Sequence, residues 1–250
     1  VEPPPAERFG VVDFFGNDAL EVVFRDMHDE IEFRLAARVE RMGEVPSFDV
    51  SPTLGRLSQE IAEYRSLDPE SPLHFLGPSP RAAPTPEMTA YAIEKLRPGM
   101  TAMDAVDAVG MSLYNDMEFD PEATTVETPA TEAFARRRGV CQDFAQIMIA
   151  CLRGIGVPAG YVSGFLRTNP PPGRPRLEGA DAMHAWVRAW CGHESGWIEF
   201  DPTNALIVGS DHIVIARGRD YGDVSPVRGI LRIAGEQKSE QAVDVIPVDA

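Results

Sequence analysis

The chain has 250 residues, 44% hydrophobic and 25% charged, an ordinary globular composition with enough core to fold without staples. Its 39 acidic against 23 basic residues give a formal net charge of −16, which repels phosphate backbones and anionic lipid, so no nucleic-acid or membrane partner is expected. Three cysteines (Cys141, Cys151 and Cys191) are too few and odd in number for a disulfide framework, and a reducing, cytoplasmic setting is expected.

The chain opens at Val1 rather than Met, the expected start of a fragment or processed product, with no signal-peptide pattern after it. Phe15-Gly16-Asn17-Asp18 is a turn signal followed by the strand-like Leu20-Glu21-Val22-Val23-Phe24. Ile31 to Val39 alternates apolar and polar residues, which predicts a half-buried strand. These pieces form an N-terminal β segment over 1–45, too small to be stable unless packed against the main domain, 46–250.

From Ser51 the period becomes helical, with Leu54, Leu57, Ile61 and Tyr64 on one face. A Pro-rich stretch, Pro72 to Pro86, precedes a helix near Glu87–Leu96. Thr101 is placed to N-cap a helix with Asp104 at its third position. Pro129 is expected in the first turn of a short helix that reaches Arg138 and stops at Gly139.

The most regular helix follows. Phe144, Ile147, Met148, Cys151, Leu152 and Ile155 keep one apolar stripe, ended by Gly156 and Pro158. Cys141 lies one turn before Phe144, on the same inward face, at the helix N-terminus. Strands are predicted over Gly160–Arg167, Ala182–Cys191 and Gly196–Asp201, and shorter ones near Ile213–Ala216, Gly229–Ile233 and Ala242–Pro247. A four-residue loop, 192–195, makes Trp190 oppose Trp197, Arg188 oppose Glu199 and Trp186 oppose Asp201. Val187, Ala189, Ile198 and Phe200 then form an apolar face, and the other face holds His184, the indoles and an expected Arg188–Glu199 ion pair. His184 and Asp201 become diagonal neighbours, roughly 7–8 Å apart at Cα.

A helix N-terminus and a nearby imidazolium both favour thiolate over thiol. Cys141 is placed for the first and His184 for the second, with Asp201 orienting the imidazole. The expected chemistry is acyl transfer, with Cys141 as nucleophile, His184 as base and acid, and the Cys141 backbone N–H as an oxyanion donor. Taken singly, each residue has a duller reading: a buried thiol, a structural histidine, a turn aspartate. Cys151 reads as core and Asp143 as a helix-dipole charge. Cys191 with His193 lacks a second ligand pair, so no metal and no cofactor is expected. The Pro/Gly-rich loop Thr168–Ala180 is expected to border the cleft.

Several blocks, in order, resemble the transglutaminase-like superfamily, and more narrowly its bacterial branch of predicted cysteine proteases. They are Gly139-Val140-Cys141-Gln142-Asp143-Phe144-Ala145, Gly156 to Gly164, His184-Ala185-Trp186, Gly196-Trp197, Phe200-Asp201-Pro202-Thr203-Asn204 and Gly218 to Pro226. Asp13-Phe14-Phe15-Gly16-Asn17 resembles the end of that branch's N-terminal β-domain. The resemblance implies an α+β, papain-like core, with the cysteine helix packed on an antiparallel sheet and Cys141, His184 and Asp201 as triad. Trp186 and Tyr161, within these blocks, are the expected substrate-binding residues. The implied activity is amide-bond hydrolysis of a peptide or protein; transfer to an amine, or a non-enzymatic binding role on the same fold, are the alternatives. The chain departs from the branch at Gly160, where an arginine is common, and at Met183, where a small polar residue is common. Against that branch, the β-domain is expected to lack its leading strands, and pairing with a second copy is one way to cover the edge they would leave.

Overall fold

The computed structural model describes residues 1–41, 48–167, 182–233 and 235–248. Two strands, β1 (Glu7–Val12) and β2 (Asp18–Val23), form an antiparallel hairpin, and its turn places Gly16 at φ +82° as the turn signal requires. Asp13 closes this turn by accepting from the N–H groups of Phe15 and Asn17. The Ile31–Val39 stretch is not a strand. Its alternation finds no neighbouring strand beyond one bridge, Glu2 to Glu32, and Phe33 and Leu35 are exposed.

The helices come next: α1 (Leu54–Glu63), a 3-10 turn over Pro72–Phe75, α2 (Pro86–Lys95) and α3 (Ala102–Asp116). Thr101 caps α3 as expected: its hydroxyl accepts from the Asp104 N–H at 3.1 Å, and Asp104 accepts in return from the Thr101 N–H at 3.5 Å. The two-residue strand β3 (Glu118–Phe119) leads to α4 (Ala130–Arg136), with Pro129 at the N-cap. Helix α4 ends earlier than the sequence predicts: Arg137 itself takes the left-handed conformation, φ 54°. Gly139 belongs instead to β4 (Arg138–Gly139), paired in parallel with β3.

Helix α5 (Cys141–Gly154) is the core of the domain. Its Phe144, Ile147, Met148, Cys151 and Leu152 are buried against α2, α3 and the sheet. The sheet has five strands: β5 (Ala159–Leu166), β6 (Ala182–Trp190), β7 (Trp197–Asp201), β8 (Leu206–Ile207) and β9 (His212–Gly218), in the order β8-β7-β6-β5-β9 and antiparallel throughout. The predicted hairpin register holds: Trp190 opposes Trp197, Arg188 opposes Glu199, Ala189 opposes Ile198 and Val187 opposes Phe200. A short helix, α6 (Tyr221–Val224), follows β9. The predicted strands near Gly229–Ile233 and Ala242–Pro247 do not form; Ile230, Leu231, Ile233 and Ile246 stay exposed. No helix among the described residues is long and apolar enough to cross a membrane.

Two polar clips join these layers. Buried Arg153 of α5 donates to the carbonyls of Ala159, Ala82 and Arg219 and to the Ser79 hydroxyl, at 2.7–3.0 Å. At the edge of β9, the Asn17 side chain donates to the Arg217 carbonyl and accepts from the Arg217 N–H, both at 2.8 Å. The first terminal block of the resemblance thus fastens the N-terminal hairpin to the sheet.

Candidate active site

Cys141 is the first residue of α5 and is half-buried. At such a position the backbone N–H has no acceptor within the helix and the macrodipole favours negative charge. Asp143, two residues on, fixes this helix end. Its carboxylate accepts from the Val140 N–H at 2.8 Å and the Thr124 hydroxyl at 2.6 Å, and burial pushes its pKa up despite both bonds. It is therefore a buried cap rather than a surface dipole charge. Gly139 makes room for it: a Cβ there would lie 2.5 Å from the Asp143 Oδ2. The Gly-Val-Cys-Gln-Asp block is a device for holding the helix start that presents Cys141.

His184 of β6 is hydrogen-bonded to Asp201, and its imidazole also interacts electrostatically with the Cys141 thiol. Its Nε2 is 2.7 Å from the Asp201 Oδ2, so Nδ1 is the ring nitrogen not engaged by the carboxylate. Burial opposes charge on this imidazole, but the interactions with Asp201 and Cys141 outweigh it and raise the pKa to about 10. Asp201 ends β7, is fully buried, and accepts five hydrogen bonds. Oδ1 takes the N–H groups of Thr203 and Asn204, and Oδ2 takes His184, His212 and the Asn204 amide. Burial alone would raise its pKa; the bonds from His184, His212 and Asn204 hold it well below the usual carboxylate range. Pro202 stops the strand, and the turn through Asn204 aims two backbone N–H groups back at the carboxylate. The three residues singled out by sequence are therefore brought together.

Sequence reading missed His212. It opens β9, is buried, and places Nε2 2.9 Å from the Asp201 Oδ2. Its ring packs edge-on against Trp186 at 5.1 Å and lies 5.9 Å from His184. Nothing local marks it, because β9 joins the sheet on the far side of β5. His184, Asp201 and His212 offer donor atoms within 4.8 Å of one another, a set that a metal ion could in principle use. The fit is poor: Nε2-to-oxygen separations of 2.7 and 2.9 Å are hydrogen-bond distances, and the His212 Nδ1 lacks the outer-shell partner that metal-bound histidines usually have.

Other expectations need correction. Trp186 and Tyr161 are not surface contacts for a substrate: both are buried, at 0% and 2% exposure. Trp186 sits between Val162 and Val208 with its indole N–H donated to Glu199 at 3.0 Å, and Tyr161 packs on Tyr221 behind β5. Arg188 pairs with Glu70 at 2.8 Å, not with Glu199, and lies over the rings of Phe75 and Trp197. Glu199 turns instead to Trp186, Arg217 and Arg41. Gly160 admits no side chain, since a Cβ would sit 2.8 Å from both the Gly218 carbonyl and the Phe75 ring. The 3-10 turn occupies the space an arginine would need. Cys151 and Cys191 are fully buried, with thiol pKa values pushed up to about 12 by burial. His193 stacks flat on Tyr64 rather than joining Cys191 in a ligand pair. The Thr168–Ala180 loop lies outside the described residues.

Residues 89–202 match the transglutaminase-like superfamily. An uncharacterised Mycobacterium leprae protein is 31% identical over 251 residues, 98% of this chain and 84% of that protein. One from Mycobacterium tuberculosis is 41% identical over 172 residues, 66% of this chain; the match spans only 55% of that protein, about half its length. A protein-glutamine γ-glutamyltransferase of Pseudomonas aeruginosa is 35% identical over 105 residues, 38% of this chain and 15% of that enzyme. Among solved structures, a candidate cysteine protease from Cytophaga hutchinsonii superposes with a TM-score of 0.51 at 30% identity, covering 61% of this chain and 48% of that one. On fold, sequence match and relatives together, the chain belongs to the transglutaminase-like superfamily.

Proposed function

We propose that the protein is a cysteine-nucleophile acyl-transfer enzyme that cleaves amide bonds in a peptide or protein. The observation that carries this reading is the 2.7 Å bond from His184 to the buried carboxylate of Asp201, with Cys141 at a helix start interacting with the same imidazole. The proton rests on His184, whose raised pKa favours the imidazolium, and the Cys141 thiolate attacks the substrate carbonyl carbon. The Cys141 N–H, which at the first turn of α5 has no acceptor within the helix, donates to the developing oxyanion. As the tetrahedral adduct collapses, the C–N bond breaks, His184 gives its proton to the departing amine, and a thioester remains on Cys141. Water then attacks the thioester; His184 removes its proton and returns it to the sulfur, releasing the acid. Asp201 keeps Nε2 protonated, so that Nδ1 is the atom exchanging the proton. Two further cysteines with no disulfide partner suit a reducing compartment, the setting proposed for this chain.

Transfer to an amine uses the same thioester, and the likeness to the γ-glutamyltransferase favours it as the second reading. Incubation with a glutamine-containing peptide and a labelled primary amine separates the two. Free acid with little label supports hydrolysis; label incorporated without free acid overturns it. Cys141→Ala should abolish both products, and activity surviving in that variant would sink the acyl-enzyme altogether.

A further inference from the structure

We propose that His212 is a fourth member of the site, a positioning residue that holds Asp201 by donating its Nε2–H to Oδ2; this rests on the acyl-transfer reading above. His212 stands three strands from β7, with β6 and β5 between, too far for ordinary cross-strand contact. It reaches Asp201 because the sheet is locally deformed: the β5–β9 register shifts between Ser163 and Gly164. Gly164 also has no side chain to keep β9 away. A Cβ there would lie 2.1 Å from the Ile213 carbonyl oxygen and 2.5 Å from the Trp186 ring. The glycine, the bulge and the buried indole together leave one path for the His212 ring, and that path ends on Asp201.

The protonation state follows from the surroundings. Asp201 and the ring of His184 face His212, and Trp186 covers its flank. The His212 Nδ1 is buried with no hydrogen-bond partner among the described residues. An imidazolium there would strand a buried N–H, whereas the neutral ring strands only a lone pair, so His212 is the neutral Nε2–H tautomer. A neutral donor restrains the carboxylate without cancelling its charge. Asp201 stays an anion for the His184 imidazolium, and its Oδ2 cannot swing away when the His184 proton moves.

The test compares His212→Phe, which keeps ring volume but has no donor, with His212→Gln, whose amide N–H can occupy the Nε2 position. Cys141 alkylation by iodoacetamide at pH 7 is the readout; buried Cys151 and Cys191 serve as internal references and melting temperature as the fold control. Phe should slow Cys141 alkylation roughly tenfold, the scale of one hydrogen bond to a charged group, and Gln should restore it to about threefold of wild type. Equal rates for Phe and wild type, or losses that follow melting temperature alone in both variants, overturn the proposal. Imidazole ¹⁵N shifts of the unaltered protein test it independently of either variant: His212 should show a protonated Nε2 and bare Nδ1, and the reverse tautomer overturns it. Wild-type Cys141 reacting no faster than Cys151 would sink the acyl-transfer reading instead, and the ¹⁵N result would still judge the His212 bond.

Discussion

Asp201→Asn tests the electrostatic heart of the site. The carboxylate receives five donors and offers none. An amide can keep its oxygen towards the Thr203 and Asn204 N–H groups, but its NH2 then faces His184 and His212. Each imidazole can accept from that NH2 only by moving its own proton to Nδ1. In His184 that proton would point at Cys141, so the base could no longer take the thiol proton; the same wrong-tautomer effect costs triad enzymes about 10⁴ in kcat. The His184 pKa of about 10 should fall towards 6.5. That change corresponds to roughly 5 kcal/mol of imidazolium stabilisation. Part is recovered by the new amide bonds, so the folded state should lose about 3–5 kcal/mol at pH 6, the usual cost of breaking a buried pair. For a chain of this size, this lowers the melting temperature by roughly 6–20 °C.

The sign of the pH dependence is fixed by the two shifts. Asp201 is held low, so its contribution is present above about pH 4 and lost on acidification. The His184 pKa is raised to about 10, so its contribution is full below about pH 6.5 and lost as pH climbs through 10. The stability gap between wild type and Asp201→Asn should thus be widest between about pH 4 and 6.5 and narrow towards pH 10. Urea midpoints at several pH values measure the gap, and NMR titration of the His184 imidazole measures the pKa. A His184 midpoint still near 10 in the variant, or a gap that widens with pH, would refute the reasoning.

Gly139→Ala should displace Asp143 from the Val140 N–H and cost about 1–2 kcal/mol, the value of a helix cap, in a denaturant titration. It should also slow Cys141 alkylation, since that cap holds the helix start. Arg153→Met leaves the carbonyls of Ala82, Ala159 and Arg219 without this donor inside the protein, and a loss of about 3–5 kcal/mol is expected by thermal unfolding. The two cysteines of α5 should part company. Cys141→Ser should abolish turnover and move the melting temperature by no more than a few degrees, whereas Cys151→Ser buries a hydroxyl in the apolar stripe and should cost about 1–3 kcal/mol with Cys141 reactivity retained. Calorimetry and alkylation kinetics on the same samples check both.

Much of the site was legible because its information is local. The stripe from Phe144 to Ile155 has one period, and that period put Cys141 at the buried start of α5. The alternation on either side of residues 192–195 allowed one register, which brought His184 within reach of Asp201. Ile31–Val39 carried the same alternating signal and made no strand, since pairing needs a partner that the sequence pattern does not supply. Trp186 and Tyr161 belong to recognisable blocks, yet whether a ring faces a cleft or a core depends on which strands and helices cover it. Arg188 and Glu199 are opposed in register but turn to other partners, Glu70 and Arg217, contributed by distant segments. The sequence by itself determined the helix of Cys141, the strand of His184 and the turn of Asp201, because each rests on neighbours within one or two periods of the chain. Only the tertiary structure decided that His212 closes on Asp201 across Gly164, because that contact comes from a bulge and a missing side chain on strands far apart in the sequence.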